Sequence, residues 1–189
     1  EKVRDYCTIN ALSTGFILTI PQRQMSSCMA AACRAWQSRL TDSEDEQEEL
    51  AYELTGDADI QPENPPGQLI RELVAIAKSV GSYEALKAND TKYIELLRSL
   101  RSYWAEHPGK KIILFSFYRQ TLHYLAERLA EESILSVVVH GGMDKDAAIE
   151  RFRDMNGPNI LLSSEVASEG VDLQFSSLLI NYDLPWNPM

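Results

Sequence analysis

Cysteine is scarce in this chain, since its 189 residues include only Cys7, Cys28 and Cys33. An odd, sparse set that fits no zinc-binding spacing argues against a disulfide scaffold or a structural zinc site, and it indicates buried thiols in a reducing compartment. No apolar run approaches the roughly 20 residues that a membrane-spanning helix needs, and no secretory signal pattern is present. The absences predict a globular cytoplasmic protein with no membrane or metal partner.

A surplus of positive charge is also missing. The formal net charge is -10, from 28 acidic and 18 basic residues. Ten of the acids lie between Thr41 and Gly67, a segment that contains no Lys or Arg, so the rest of the chain is balanced. Such a run usually forms a solvated loop or insertion, although it could also dock on a basic protein partner. Charge alone therefore gives no support for nucleic-acid binding, but it leaves local phosphate contacts possible.

The N-terminal part of the chain is predicted to be mainly helical. Phe16–Ile20 is a short apolar run closed by Pro21, and it predicts a short strand or an apolar connector. Gln22–Leu40 is rich in alanine and predicts one helix, and Gln68–Lys87 predicts a second that Gly81 interrupts. The apolar stripe of the first of these helices consists of Met25, Met29, Ala32, Trp36 and Leu40.

From Asn89 onward the chain predicts an alternating α/β domain. Asp90 or Thr91 can cap a helix whose buried side is formed by Tyr93, Ile94, Leu97 and Leu100. Short apolar runs then alternate with amphipathic helical segments, which predicts a parallel sheet with helices on its faces. The predicted strands are Lys111–Phe117, Ile134–Val139, Asn159–Leu162 and Leu178–Tyr182, and the predicted helices between them are Arg119–Glu132 and Asp144–Asp154, the latter N-capped by Asp144.

Four loops follow the carboxyl ends of these strands. In a parallel sheet such loops meet at one edge, where ligands of open α/β sheets bind. Serine hydroxyls, backbone N–H groups and helix N-termini at such an edge can bind successive phosphates without reading bases. The loops are Ser116–Gln120, His140–Lys145, Ser163–Asp172 and Asp183–Pro188.

Two of these loops carry motifs that identify a family. Ser164 to Gln174 reads SEVASEGVDLQ, and Asn181 to Pro188 reads NYDLPWNP. They resemble motif V and the approach to motif VI of superfamily 2 helicases. The closest resemblance is to Swi/Snf-type translocases, in the branch that contains the bacterial RNA-polymerase-associated ATPase.

The resemblance implies a particular domain organisation. Residues 89–189 would form the second RecA-like lobe of a helicase, a parallel sheet flanked by helices and truncated before motif VI. The preceding part would be an inter-lobe connector and helix (1–40), the acidic loop or insertion (41–67) and a helical appendage (68–88). The Walker A lysine and the Asp-Glu pair of a first lobe are absent from the sequence. We therefore expect no catalytic residue in this chain and no ATP hydrolysis by it alone.

The resemblance also implies the roles of individual residues. Gly170 and Asp172 match positions that face the nucleotide, although Asp172 stands where many Swi/Snf-type enzymes carry Asn, and either residue could simply form a turn. Glu169 replaces the arginine of DEAD-box proteins and is not expected to bind phosphate. His140 could instead be an ordinary polar residue at a strand end. The residues that match nucleic-acid positions are Ser116, Phe117, Arg119, His140, Gly141, Gly142, Ser163 and Ser164.

The function implied is that of a C-terminal motor lobe of an ATP-dependent DNA translocase. ATP and Mg²⁺ would lie between this lobe and an N-terminal RecA-like lobe of the same polypeptide, and duplex DNA would be the track rather than single strands. A bacterial, cytoplasmic and nucleoid-associated protein is expected. Two alternatives stay open: a degenerate helicase lobe that docks proteins, and a different doubly wound enzyme such as a nucleotide-sugar transferase. The alternative of a nucleotide-sugar transferase is weakened because no Gly-x-Gly-x-x-Gly follows any predicted strand.

Overall fold

The chain divides into two compact units at Asp90, Glu1–Asp90 and Thr91–Met189. The computed structural model describes residues 5, 8, 14–38, 67–140, 144–164 and 176–183. Within these ranges, no helix has the length and apolar character required to cross a membrane.

The first unit is helical. Its described helices are α1 (Thr14–Ser27), α2 (Met29–Ser38), α3 (Gly67–Val80) and α4 (Tyr83–Ala88). Helix α2 packs against the other three, and Trp36 at its centre is buried and donates from Nε1 to Oε1 of Gln24 at 3.0 Å. The indole therefore contributes apolar area while its one polar atom is satisfied. Gly81 separates α3 from α4, as predicted, with φ of +150°.

Two predictions for this unit are wrong. Phe16–Ile20 does not form a strand, because α1 runs through it and includes Pro21. Its role as a connector stays a prediction. A short apolar run cannot distinguish strand from helix by periodicity alone. Gln22–Leu40 is not one helix either, since α1 ends at Ser27 and α2 begins at Met29. The sulfur of Cys28 explains the break, because it accepts from the Ala31 N–H at 3.4 Å and so serves the new helix as an N-terminal acceptor.

The predicted apolar stripe of this region is partly right. Ala32 and Trp36 are buried, whereas Met29 is 42% exposed. The break at Cys28 resets the helical phase, so the three-to-four spacing that was counted from Met25 does not carry through. Leu40 lies outside the described residues, and so does most of the acidic segment Thr41–Gly67.

The second unit begins with helix α5 (Thr91–Glu106). Tyr93, Leu96 and Leu100 form its buried face. The prediction that Ile94 is buried is wrong, since its side chain is 52% exposed. Residues 93, 96 and 100 follow one helical stripe, and position 94 lies about 100° away from 93 around the helix axis.

A four-stranded sheet, all parallel among the described residues, follows α5 and confirms the predicted fold class. The strand order is β2-β3-β1-β4, so β1 and β3 occupy the centre. Their residues are almost wholly buried, as expected for strands covered on both faces. The elements are β1 (Ile112–Phe115), α6 (Arg119–Glu131), β2 (Ser136–Val139), α7 (Lys145–Arg153), β3 (Ile160–Ser163) and β4 (Leu178–Asn181).

The outer strand β4 is less buried than the central strands. Its residues alternate between half-buried and exposed, and Leu179 is 54% exposed. Strand β4 pairs with β1 on one side, with Leu114 opposite Ile180. It therefore behaves as an edge strand of the described sheet rather than as part of its centre.

Helix α7 was predicted correctly, including its start. Asp144 is the N-cap, and its side chain accepts from the Ala147 N–H at 3.1 Å. Ile149 and Phe152 are buried against the sheet, where Phe152 belongs to a cluster with Ile113 and Leu161. The cluster joins α7 to the central strands.

Candidate nucleic-acid interface

The carboxyl ends of the four strands form a row across the sheet. Val139 of β2 pairs with Ser163 of β3, Ser163 pairs with Phe115 of β1, and Phe115 pairs with Asn181 of β4. Backbone bonds continue one residue beyond the strands, from Ser164 N to Val139 O at 3.2 Å and from Tyr182 N to Phe115 O at 2.8 Å. All four chain segments thus leave the sheet at one rim, about 14 Å across at the usual strand spacing.

The turn after β1 is fixed by a carboxylate from the far end of the same unit. Oδ2 of Asp183 accepts from Ser116 Oγ at 2.6 Å and from the Phe117 backbone N–H at 3.0 Å. Ser116 is buried, while Phe117 is 45% exposed. The Ser116 hydroxyl is therefore engaged inside the protein, and the turn presents the Phe117 ring at the rim instead.

Lys92 completes this arrangement from the start of α5. Its Nζ lies 3.5 Å from Oδ1 of Asp183 and 3.9 Å from the centroid of the Tyr182 ring. The Asp183 side chain is only 8% exposed, and the Lys92 side chain is 41% exposed. A nearly buried carboxylate is thus compensated by one cation and two hydrogen-bond donors, which a buried charge requires.

At the other side of the rim two imidazole rings meet. His140, directly after β2, and His123 of α6 contact edge to face, with ring centroids 5.4 Å apart. The hydroxyl of Ser163 donates to the carbonyl of Ser164 at 3.0 Å, and Ser163 is buried. Ser164 is half-buried at the rim. Of this pair, Ser164 is the residue whose position allows an outside partner.

Two helices begin at the rim. The N-terminus of α7 already has an acceptor in Asp144, whereas Tyr118, the N-cap of α6, makes no side-chain capping hydrogen bond. Arg119, the first residue of α6, is exposed. The start of α6 therefore combines the positive end of a helix with a guanidinium at the surface.

The structure describes some of the predicted site residues and not others. Ser116, Phe117, Arg119, His140, Ser163 and Ser164 all lie at the carboxyl rim, while Gly141, Gly142, Gly170 and Asp172 fall outside the described residues. Exposure separates the first group, since Phe117, Arg119 and Ser164 reach the surface to different degrees but Ser116 and Ser163 are buried. Contact of any of these residues with a nucleic acid or a nucleotide stays a prediction.

Sequence reasoning missed two residues of this rim, Asp183 and Lys92. Asp183 was recognised only as the first residue of a loop. An acid that directly follows an apolar strand at the carboxyl edge was the available signal. Lys92 had none, because its distance of 91 positions from Asp183 gives no local pattern.

The described residues contain no metal centre. No group of three or more His, Cys, Asp or Glu side chains there could hold a metal ion. Cys28 and Cys33 are buried and form no disulfide, and burial raises the pKa of the Cys33 thiol. Both cysteines therefore match the predicted buried thiols.

The family of the chain follows from its second unit. Residues 91–189, just over half of the chain, match the helicase conserved C-terminal domain. The chain therefore belongs to this family, and its second unit is the C-terminal domain of a superfamily 2 helicase.

Particular relatives are similar to part of the chain. One is the pre-mRNA-processing ATP-dependent RNA helicase PRP5 of Meyerozyma guilliermondii, 34% identical over 93 residues, which are 48% of this chain and 11% of the relative. The uncharacterized ATP-dependent helicase YqhH of Bacillus subtilis is 43% identical over 82 residues, 42% of this chain and 14% of the relative. The RNA polymerase-associated protein RapA of Cronobacter sakazakii is 36% identical over 94 residues, 47% of this chain and 10% of the relative.

The chain thus spans between 10% and 14% of the length of these relatives. Their names include both an RNA helicase and an RNA-polymerase-associated protein. Similarity at this level supports the helicase family and does not select one branch within it.

Proposed function

We propose that this chain supplies the C-terminal motor lobe of an ATP-dependent translocase that moves along duplex DNA. The observation that carries the proposal is the alignment of four strand ends at one rim, within a domain of the helicase family. In the proposed cycle, ATP and Mg²⁺ bind between this lobe and an N-terminal RecA-like lobe. Closure of the two lobes then shifts the grip of the rim on the DNA backbone.

The choice of DNA rests on the sequence. The SEGVDLQ and DLPWNP elements resemble Swi/Snf-type translocases, and one relative is named as associated with RNA polymerase. The RNA helicase PRP5 is the specific observation that favours RNA as the second candidate. Cysteines are sparse in the sequence, and Cys28 and Cys33 are buried, which supports a location in a reducing compartment that we propose to be the bacterial cytoplasm.

The rim is suited to a phosphate backbone rather than to bases. It is about 14 Å wide, while phosphates follow one another about every 3.4 Å along the axis of one strand. It presents a guanidinium, a helix N-terminus and small polar groups, which bind phosphate oxygens without sequence selectivity. The acidic segment lies elsewhere in the sequence and does not change the balanced charge of the remainder.

The proposal is tested by the ATPase rate of the full-length protein with no nucleic acid, duplex DNA, single-stranded DNA and RNA. We expect duplex DNA to stimulate turnover most. Stimulation by RNA alone would replace the DNA assignment with an RNA helicase. No stimulation by any of the three nucleic acids would favour the alternative of a degenerate lobe that docks proteins.

Ser164 gives a residue-level test of the same proposal. Ser164→Ala in the full-length protein should weaken the DNA-stimulated rate, because a half-buried hydroxyl at the rim would lose one phosphate contact. The expected cost is about 1 kcal/mol, or roughly fivefold in the DNA concentration that gives half-maximal stimulation. Ser79→Ala, an exposed serine of α3, is the matched control. Unchanged stimulation in S164A would remove this hydroxyl from the nucleic-acid face.

A further inference from the structure

The side chains of Asp183, Ser116, Lys92 and Tyr182 and the backbone of Phe117, here called the Asp183 cluster, join three parts of the second unit. Asp183 follows β4, Ser116 and Phe117 form the turn after β1, and Lys92 lies at the start of α5. Tyr182 provides the ring beneath the Lys92 ammonium. Residues 91 and 66 positions apart in sequence thus meet at the carboxyl rim.

The two oxygens of Asp183 have separate partners. Oδ2 accepts both bonds from the turn, from Ser116 Oγ and from Phe117 N, while Oδ1 faces Lys92 Nζ. The 2.6 Å bond to Ser116 is short, as expected when the acceptor is charged. One oxygen therefore sets the geometry of the turn, and the other carries the ion pair.

The turn that Asp183 holds leads directly into the exposed part of the rim. The Phe117 amide points inward to the carboxylate while its ring is 45% exposed, and Arg119 follows at the start of α6. A backbone fixed at residues 116 and 117 restricts where this ring and this guanidinium can lie. An acid at a phosphate-binding rim would otherwise repel the ligand, but here Lys92 and the two donors compensate its charge.

We infer that Asp183 is a positioning residue of the nucleic-acid interface. It orients the Ser116–Arg119 turn so that Phe117 and Arg119 meet the nucleic-acid backbone, and it makes no contact with the ligand itself. The inference rests on the proposed function of the rim. The resemblance gave no role to Asp183. The property that matters here is hydrogen bonding by Oδ2 and not the negative charge.

The chemistry of the two oxygens allows a sharp set of variants. Asp183→Asn keeps an oxygen that can accept both turn bonds, and it loses the negative charge opposite Lys92. Asp183→Ala removes both functions. Lys92→Met removes the ion pair and the contact of the ammonium with the Tyr182 ring, and it leaves both turn bonds in place. Ser116→Ala removes the bond to Oδ2 and the acceptor of the Tyr118 N–H at 3.4 Å, while the Phe117 N–H keeps its acceptor.

The measurement is DNA-stimulated ATPase of the full-length protein, with the half-saturating duplex concentration and the saturated rate determined separately. We expect D183A to raise the half-saturating concentration about tenfold, which corresponds to about 1.4 kcal/mol. The saturated rate should change less than about twofold, because the ATP side is not touched. D183N and K92M should stay within about threefold of the wild type, and S116A should lie between D183N and D183A.

A double-mutant cycle separates positioning by Asp183 from a direct role of Ser116. If Ser116 acts through Asp183, the S116A/D183A double variant binds duplex no worse than D183A. Additive losses would contradict the inference. A D183N defect as large as that of D183A would also contradict the inference. Loss of the negative charge, and not loss of the turn bonds, would then explain the weaker binding.

A purely structural role predicts a different pattern. D183A would then lower the thermal midpoint and the saturated rate, through a smaller active fraction, with no change in the half-saturating duplex concentration. If duplex DNA stimulates the wild type and D183A shows this pattern, this inference is overturned while the proposed function stands. If no nucleic acid stimulates the wild type, the proposed function fails and the inference fails with it. Should D183A not fold, S116A and D183N still decide between the two accounts.

Discussion

Lys111 is a cation buried among backbone carbonyl oxygens at the amino end of β1. Its side-chain ammonium donates to the carbonyls of Asp154, Gly157 and Pro158, at 2.7, 3.3 and 2.8 Å. Burial lowers the pKa of Lys111 from 10.5, and the nearby Asp154 opposes that shift. The three bonds join the end of α7 to the start of the central strands, so this lysine is a structural residue at the edge opposite the rim.

Lys111→Met should therefore destabilise the protein. The carbonyls of Gly157 and Pro158 would lose the lysine donor, and the Asp154 carbonyl would keep only the Gly157 N–H. The substitution also removes the cost of desolvating the ammonium, which offsets only part of that loss. We expect a decrease of about 2 to 3 kcal/mol in the free energy of unfolding, measured by urea denaturation. The matched control is Lys110→Met, at an exposed neighbouring lysine, which should change stability by less than about 0.5 kcal/mol. Equal stabilities of K111M and K110M would refute this account of Lys111.

The titration of the Tyr93 hydroxyl should change the stability of the protein at alkaline pH. Burial, with smaller opposing effects from neighbouring charges, raises the pKa of its hydroxyl from 10.0 to about 12. The unfolded chain therefore loses this proton at lower pH than the folded one. The corresponding contribution to stability is complete below pH 10 and is lost as the pH rises through 12.

The expected loss from this group over that range is about 2 to 3 kcal/mol. Tyr93→Phe keeps the ring that contacts Tyr124 and the Arg128 guanidinium, and it removes the titrating hydroxyl. Urea denaturation at pH 9 and pH 11.5 should thus show a smaller decrease in stability for Y93F than for the wild type. An identical decrease in both proteins would mean that Tyr93 does not titrate as described.

Single residues were the least predictable level from sequence. Trp36, Ala32 and Tyr93 were placed correctly, because periodicity within one helix locates its apolar face. Ile94 and Met29 were not, since a shift of one residue in helical phase moves a side chain to solvent. The Asp183 cluster could not be predicted, because its partners are joined by folding and not by sequence spacing.

At the scale of elements, the turn between α7 and β3 depends on Gly157. A Cβ at this position would overlap the carbonyl oxygen of Arg151 and crowd that of Asp154. The Gly157 N–H donates to the Asp154 carbonyl at 2.9 Å, which closes the turn that Lys111 also contacts. The turn brings the chain from the end of α7 into the most buried strand of the sheet.

Gly157→Ala should cost more than Gly109→Ala, although both replace a glycine in a turn. Gly109 has φ of +73° but open space around its position, so its replacement costs only the left-handed backbone, about 1 kcal/mol. Gly157 requires backbone carbonyls to move, for which we expect about 2 to 4 kcal/mol. Thermal unfolding of both variants tests the order. A larger loss in G109A would contradict the close approach at Gly157.

Most elements of the second unit were predictable, and the reason is local. Short apolar runs separated by amphipathic segments fix which residues form strands and helices, and Asp144 marked the start of α7 correctly. The first predicted strand was too long at both ends, since Lys111, Ser116 and Phe117 lie outside β1. Their side chains or backbone groups bind other segments instead, and such bonds end a strand without leaving a sequence signal.

For the whole molecule, the parallel sheet and its carboxyl rim followed from alternation of strand and helix. The order β2-β3-β1-β4 did not, because strand neighbours are chosen by packing of the whole domain. The parallel direction of the strands, whatever their order, brings all four ends to one rim, which the proposed function requires. The roles of Gly141, Gly142, Gly170 and Asp172 stay predictions, because these residues fall outside the described part of the chain.

The most direct test compares the carboxyl and amino edges of the sheet by the salt dependence of duplex binding. Arg119→Ala removes an exposed cation at the carboxyl edge, and Lys110→Ala removes one just before β1, at the amino edge. For the full-length protein, we expect the slope of log affinity against log salt concentration to fall by about one in R119A and to stay unchanged in K110A. A slope that falls in K110A and not in R119A would contradict the claim that the carboxyl rim binds the phosphate backbone.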